Sequence, residues 1–381
     1  MQYRRMEKLN LDVSIFGIGL MRLETGPGGQ SDILYDKSTP LIHRAIDMGV
    51  NYIDTAFFYH GGFSEVSLGK ALKARPSDRK RIKIATKLPI RDGEGYEDWE
   101  KYLNTSLERI GTDYVDFYLV HGINYARIEP VKDELFRFLE DMKKKGKIIY
   151  PSASFHGDYD DFIKLVDSYD WSMLQVQQNI LDVYNQCTLK GMQYAGSKGI
   201  PIVVMEPLRG GVLVRHVPDE AKKLYDEFSV KRKPVEWAFR YVYNQPEVKV
   251  ILSGIGNMEE LEENVEIFSR SAPGVMSADE LKLVDDVRLA YESLAKIGCT
   301  ACRYCEPGCP MEIPISDILR GYDQACIMGA TGRFQARYDQ VTKDKNGAGT
   351  CIECGNCESV CPQSIQIIRQ LAFFSDNYER A

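Results

Sequence analysis

Eight of the ten cysteines fall into two copies of one pattern, CTACRYCEPGCP at 299–310 and CIECGNCESVCP at 351–362, both reading CxxCxxCxxxCP. Three thiols two residues apart let one short loop wrap a cubane iron-sulfur cluster and present sulfur to three of its irons. The fourth iron needs a ligand from elsewhere. Where two such runs hold two clusters, the cysteine before the proline of each run ligates the cluster of the other. On that pattern Cys299, Cys302, Cys305 and Cys361 hold one 4Fe-4S cluster, and Cys351, Cys354, Cys357 and Cys309 hold the second. Zinc sites usually show two CxxC pairs rather than two runs of four, and disulfides do not persist in a reducing compartment. The runs mark a redox protein whose centres work somewhere within about −700 to +450 mV.

A second set of side chains suits proton and hydride chemistry. Asp54 and Tyr59 stand in DTAFFY, Lys87 in ATKL and His121 in YLVHG. A tyrosine beside a lysine can act as a general acid toward a carbonyl oxygen, because the ammonium stabilises phenolate and lowers a pKa that starts at about 10. Asp54 can keep Lys87 charged and aimed. His121 can donate a hydrogen bond to the same oxygen, so that hydride arrives on carbon while Tyr59 delivers the proton. Taken singly, Asp54 could be a helix cap, Tyr59 a rim aromatic, Lys87 a surface charge and His121 a core histidine. As a set, they require a scaffold that brings four distant segments to one mouth.

The chain between them supplies one. Eight β-rich runs alternate with amphipathic stretches: IFGIG (15–19), NYIDTA (51–56), IKIATKL (82–88), VDFYLVH (115–121), IIYPSASF (148–155), MLQVQQN (173–179), IPIVVME (200–206) and VKVILSG (248–254). Segments such as EDWEKYLNTSLERIG and VKDELFRFLEDMKKKG repeat apolar residues three and four apart, the helical period. Eight strand-helix units closing near residue 270 predict an α/β fold, a (β/α)8 TIM barrel, whose catalytic groups belong at the carboxyl ends of the strands. Asp54, Tyr59, Lys87 and His121 all fall at such ends. Helix SADELKLVDDVRLAYESLAKIG then leads to the first cysteine, which places the barrel at 1–296 and a small, mainly α-helical ferredoxin-type domain at 297–381. The GxG at 17–19 is too short for a dinucleotide fingerprint and reads as barrel packing.

GVNYIDTAFFYHGGFSEVSLGKAL, IATKL and YLVHG resemble the signature segments of the aldo-keto reductases, over roughly the first three quarters of the chain. The resemblance implies an oxidoreductase that reduces a small-molecule aldehyde or ketone with NAD(P)H, with Asp54, Tyr59, Lys87 and His121 as its catalytic tetrad. It places Ser154 and Gln175 at the nicotinamide carboxamide, although Phe155 stands where the family has asparagine. Met205 replaces the aromatic residue that stacks on nicotinamide. Leu208, Arg209, Gly210 and Gly211 correspond to the pyrophosphate segment. In LSGIGNMEELEEN, the loop that grips adenosine, Ser253, Gly254, Glu263 and Asn264 hold the matching positions. NADPH-specific members carry lysine and arginine where this chain has Gly254 and Glu260, and a carboxylate there repels a 2′-phosphate. Weaker NADP preference is expected, with NADH serving as well or better.

The 41 residues between Cys309 and Cys351 contain ISDILRGYDQACIMGA and RFQARYDQV, which have helical spacing. They resemble the α-helical ferredoxin subunits and domains of larger redox enzymes, and the whole chain resembles a branch of aldo-keto reductases with such an extension. Nicotinamide gives two electrons as a hydride, whereas each cluster carries one. Either the clusters serve an external electron carrier or the structure, or a flavin in the barrel mouth links the two. The changes at Met205, Gly254 and Glu260 motivate the flavin. A different class of reading is a non-catalytic electron-transfer or redox-sensing protein.

Composition fits an ordinary globular chain of more than one domain: 381 residues, 44% apolar, 27% charged and a net charge of −7. No basic stripe points to nucleic acid, and the opening MQYRRMEKLNLDVSIFGIGLM reads as neither signal peptide nor membrane span. A cytoplasmic protein is expected. Cys187 and Cys326 read as packing residues, KKKGK (143–147) as a solvated helix end, His60 and His156 as side chains at the substrate and cofactor clefts, and His216 as a surface loop residue.

Overall fold

The computed structural model describes residues 1–184 and 186–379. By its contacts the chain forms two compact units, Met1–Gly210 with Arg232–Leu281, and Gly211–Lys231 with the segment from Lys282 onward.

The first unit is a closed barrel. A hairpin of β1 (Tyr3–Met6) and β2 (Leu11–Ser14) precedes eight parallel strands: β3 (Phe16–Gly19), β4 (Tyr52–Asp54), β5 (Lys83–Leu88), β6 (Val115–Ile123), β7 (Ile148–Phe155), β8 (Met173–Gln177), β9 (Ile202–Met205) and β10 (Val248–Ser253). They follow chain order around the cylinder, and β10 pairs with β3 to close it. All eight strand runs of the sequence reading are present. Parallel strands covered on both faces become near-continuous apolar runs, and IVVM and VKVILS show that composition. Tyr52, Ala85, Phe117, Leu119, Met173, Val203 and Val250 fill the interior, where Met6 and Val13 of the hairpin join them. Gly17 leaves no room for a side chain there: a Cβ would lie 2.7 Å from Val250 Cγ1.

The helices cover the strands with one apolar face each. In helix Tyr96–Ile110, Trp99, Leu103, Leu107 and Ile110 are buried at helical spacing, and Gly111 ends it in the left-handed region at φ 72°. No helix among the described residues is long and apolar enough to cross a membrane.

The cysteine-bearing unit is helical. Helices Ile315–Ile327, Phe334–Thr342 and Ile367–Phe374 carry its core, in which Ile313, Ile315, Ile318, Ile367 and Leu371 pack with Cys299, Cys305 and Cys357. Tyr322, Phe334, Phe374 and Tyr378 form an edge-to-face aromatic cluster beside them.

Candidate active site and candidate cluster sites

The four barrel residues meet. Asp54 ends β4, Lys87 lies near the end of β5, and His121 lies in β6. Tyr59 opens the tight turn that follows β4. Lys87 is fully buried and its Nζ donates to Asp54 Oδ1 at 2.6 Å, to the Thr55 carbonyl at 2.8 Å and to Tyr59 OH at 3.3 Å. An ammonium has three protons, and these three acceptors use all of them. Since the Tyr59 oxygen accepts from Lys87, its own proton remains to be donated elsewhere. The His121 ring stands 5.9 Å from the Tyr59 ring at 77°.

The expected lowering of the Tyr59 pKa is corrected by the structure. Burial raises it, and although Lys87 pulls it down, the net direction is upward, with Asp54 adding to the rise. The phenol is a proton donor by default, and Lys87 limits rather than reverses the cost of forming phenolate. For Lys87, burial favours the neutral amine, but Asp54 and Tyr59 outweigh it and the group is held protonated. Burial likewise raises Asp54 against the pull of Lys87. Burial, then Lys87, then His156 push His121 down to about 3, so it is a neutral imidazole at physiological pH.

His121, the group whose ordinary value lies in the middle of the pH range, is held neutral there. Carbonyl reduction is therefore expected to show a kcat/KM flat from about pH 5 to 9, without an inflection at the ordinary histidine value of about 6.5. A pH profile with a limb at that value contradicts this reading of His121. In folding, the unfolded chain binds a proton on His121 between about pH 6.5 and 3 that the folded chain excludes, so stability falls as pH drops through that window.

The turn bearing Tyr59 rests on residues the sequence reading did not single out. Fully buried Glu65 accepts from Thr86 Oγ1 at 2.6 Å and from Arg109 at 3.1 Å, and Arg109 also donates to the Phe57 carbonyl at 3.0 Å. Thr55 and Ser64 hydroxyls join at 2.7 Å. These bonds fix the DTAFFY segment between β4 and the next helix. An acidic residue inside the otherwise apolar, small-residue stretch SEVSLG was the available signal. His60 is buried with its Nδ1 2.8 Å from the Gln30 carbonyl and its Nε2 without a partner, and His156 is held below its ordinary value chiefly by burial.

The nucleotide positions are placed unevenly. Ser154 and Gln175 are paired across β7 and β8 and almost fully buried. Among the described residues, Ser154 Oγ and Gln175 Nε2 meet the Met205 sulfur, at 4.0 Å and 3.7 Å, and Gln175 Oε1 is buried without a partner. An amide acceptor left unpaired beside a hydroxyl fits a carboxamide, which offers both donors and an acceptor. Leu208 is half-buried and Gly210 exposed, while Gly211 opens the segment grouped with the second unit. Arg209 is paired with buried Asp182 at 3.1 Å. Asn264 donates to Ser253 at 3.3 Å, and Glu263 pairs with Lys233 at 2.5 Å. The Glu260 carboxylate accepts from the Gly256 amide at 2.9 Å at the start of helix Met258–Ser269.

Gly254 has a reason specific to this chain. A Cβ there would come within 3.0–3.2 Å of the Arg22 stem, whose guanidinium pairs with Glu206 at 3.3 Å. Arg22 thus lies where a side chain at 254 would have stood.

The eight motif cysteines line two cavities. Cys299, Cys302, Cys305 and Cys361 surround one, and Cys309, Cys351, Cys354 and Cys357 surround the other. Ile and Leu make up most of the remaining wall of the second, whereas Thr300, Arg303, Ser316 and Gln363 join Leu319, Ile365 and Ile367 in the first, and in each cavity one cysteine comes from the other run. Among the described residues no three His, Cys, Asp or Glu side chains converge on a single-ion site. The two loops bend alike: Ala301 and Arg303 have φ 57° and 62°, and the equivalent Glu353 and Gly355 have 56° and 78°. Left-handed backbone at three non-glycine positions is costly, which marks loops shaped for what they hold. Burial pushes the Cys305 thiol up to about 12 and raises Cys299 and Cys357, so thiolates there need a bound cation, and loading releases protons. Asp323, fully buried, orders the approach to the first loop: its two oxygens accept from the backbone N–H groups of Lys296, Ile297, Gly298 and Cys299 at 2.8–2.9 Å.

Comparison with known proteins agrees with this architecture. Residues 16–288 match the aldo/keto reductase family, and residues 298–366 match a 4Fe-4S dicluster domain. L-galactose dehydrogenase of Arabidopsis thaliana is 27% identical over 69% of this chain and 87% of its own length. The NADH-specific methylglyoxal reductase of Escherichia coli (strain K12) is 26% identical over 67% of this chain and 90% of its own. The holo form of an aldo-keto reductase from Bacillus halodurans superposes with a TM-score of 0.63 at 25% identity, covering 75% of this chain and 96% of that one. A closed eight-stranded barrel and a helical cysteine-bearing region, matched along their lengths in this way, settle the lineage: the chain is an oxidoreductase of the aldo/keto reductase family that carries a 4Fe-4S dicluster domain.

Proposed function

We propose that the barrel reduces a small-molecule aldehyde or ketone with NAD(P)H, using Tyr59 as the general acid, while the cysteine-bearing domain exchanges single electrons with an external carrier. The observation that supports the first part most is the saturation of Lys87 by Asp54, Thr55 and Tyr59, which leaves the Tyr59 proton as the one to give away. When bound, the nicotinamide supplies the hydride, and the clusters supply one-electron carriage. Ser154 and Gln175 would hold the carboxamide and so orient the ring. Neutral His121 would donate to the carbonyl oxygen, setting its angle, and Tyr59 would deliver its proton to that oxygen as negative charge develops there. Lys87 stabilises the resulting phenolate, and Asp54 holds Lys87 in place. The eight cysteines would hold the clusters as the two cavities group them.

Anaerobically purified protein is expected to contain iron and sulfide and to oxidise NAD(P)H only when a carbonyl compound is added. Absence of any carbonyl-dependent oxidation with both nucleotides overturns the catalytic part and leaves a nucleotide-binding or electron-transfer role. A flavin is the second reading, favoured by Met205 at the position of the stacking aromatic; protein that releases no flavin on denaturation excludes it.

Glu260 sets the nucleotide preference. Two like charges about 4 Å apart cost about 1 kcal/mol even at the dielectric of water, roughly a fivefold effect on affinity. NADH is expected to bind more tightly than NADPH, and Glu260→Gln to narrow that ratio about fivefold, read from Kd values by nucleotide fluorescence. A wild-type preference for NADPH contradicts this assignment.

A further inference from the structure

In the cysteine-bearing unit, helices Ile315–Ile327 and Phe334–Thr342 line an open groove that carries three guanidinium groups, Arg320, Arg333 and Arg337, against one carboxylate, Asp317. Asp317 is itself paired with Arg303 at 2.8 Å. Arg333 and Arg337 are exposed, in a chain whose formal net charge is −7. A cationic groove on an acidic protein is a local reversal of sign, which attracts a partner the rest of the surface repels.

Its place gives it a use. The groove shares a wall with the first cysteine cavity: Ser316 and Leu319 line the cavity, and Asp317 and Arg320 on the same helix line the groove. Arg320 donates to the Cys299 carbonyl at 3.3 Å. Whatever docks in the groove lies one helix wall from the cluster position defined by Cys299, Cys302, Cys305 and Cys361. Cys302 is exposed, so that cavity is not sealed from a docked protein.

We propose that this arginine groove is the docking surface for a small acidic one-electron carrier protein, which exchanges its electron with the cluster held by Cys299, Cys302, Cys305 and Cys361. The inference rests on the reading that these cysteines hold a redox-active cluster. The step is a single-electron transfer: the reduced carrier loses one electron, the oxidised cluster gains it, and no bond or proton is exchanged. Arg320 stays against the ligand loop, while Arg333 and Arg337 meet carboxylates of the carrier. Guanidinium groups suit this role because each can engage a carboxylate with two parallel hydrogen bonds.

The test uses anaerobically prepared full-length holoprotein, an acidic ferredoxin as probe and a basic cytochrome c as control, with calorimetric Kd values at several salt concentrations. The ferredoxin is expected to bind with an affinity that falls as salt rises. The double variant Arg333→Glu/Arg337→Glu is expected to weaken it at least tenfold, flatten the salt dependence and slow cluster reduction by the carrier to match. Lys70→Glu/Lys73→Glu, the same change of net charge on a barrel helix, is expected to leave the Kd within twofold. Iron content and cluster reduction by dithionite must be unchanged in both variants, which separates docking from cluster integrity. Ferredoxin affinity unaffected by the arginine reversals, or lost equally in the lysine variant, overturns the assignment; so does a change of the holoprotein's own oligomeric state on arginine reversal, which would make the groove a contact between copies. A wild-type cluster that dithionite cannot reduce refutes the redox reading itself while leaving the Kd comparison interpretable.

Discussion

Tyr59→Phe is expected to lower kcat for carbonyl reduction by about 10²- to 10⁴-fold, the usual worth of a positioned general acid, while nucleotide Kd stays within about twofold. The substitution removes one oxygen. Lys87 keeps its bonds to Asp54 and Thr55, so the buried ion pair survives and the fold should be retained. What disappears is the hydroxyl whose oxygen accepts from the ammonium and whose proton is left to donate. The remaining rate measures positioning alone, since a hydride donor held against a carbonyl still benefits from orientation. Near-wild-type kcat in steady-state assays, with the variant shown folded by circular dichroism, contradicts the role given to Tyr59.

The second large effect concerns the metal-bearing domain. Asp323→Ala is expected to empty the cavity of Cys299, Cys302, Cys305 and Cys361. Four N–H groups at residues 296–299 lose their acceptor at once; that of Cys299 is buried, and a buried donor left unpaired costs roughly 1–3 kcal/mol. The loop cannot keep its course at that cost, and Cys299 moves with it. Asp323→Asn tests the same point more finely. One oxygen still accepts from one pair of amides, but the new NH₂ faces the other pair, donor against donor, so an intermediate loss is expected. Iron and sulfide analysis should show about half the wild-type content in the alanine variant, with the second cavity still loaded, since two full runs hold two clusters. Wild-type iron content in Asp323→Ala contradicts the account of the loop.

The strand order of the barrel was legible because parallel strands buried on both faces are forced to near-continuous Val and Ile runs, and eight of them alternate with helical periods. The meeting of Asp54, Tyr59, Lys87 and His121 was legible for a related reason: each has an ordinary explanation alone, but four polar residues at successive strand ends of a barrel share one mouth. The division of the cysteines followed from the shape of the motif, since each run supplies three near thiols and one distant one, and the two cavities are lined accordingly.

Other features depend on distances that spacing does not carry. The direction of the Tyr59 shift is a contest between burial and Lys87, and its outcome depends on how deeply the turn is enclosed. The β1–β2 hairpin is hidden in sequence because YRRM and LDVS carry charges around Met6 and Val13, whose side chains are buried in the barrel core. Asp323 is one carboxylate in an amphipathic helix, and only the folded chain shows four amides converging on it. Arg22 could not be tied to Gly254 in sequence, since the two are brought together by closure of β10 on β3.

In the proposed reaction, hydride passes directly to a carbonyl carbon in the barrel while Tyr59 protonates the oxygen. The most direct measurement is a single anaerobic turnover with an aldehyde and nicotinamide nucleotide deuterated at the transferring position, followed by mass analysis of the alcohol. One deuterium is expected on the carbinol carbon of the product. Alcohol formed without the label would contradict it, because the hydride would then have passed through a carrier that exchanges with water.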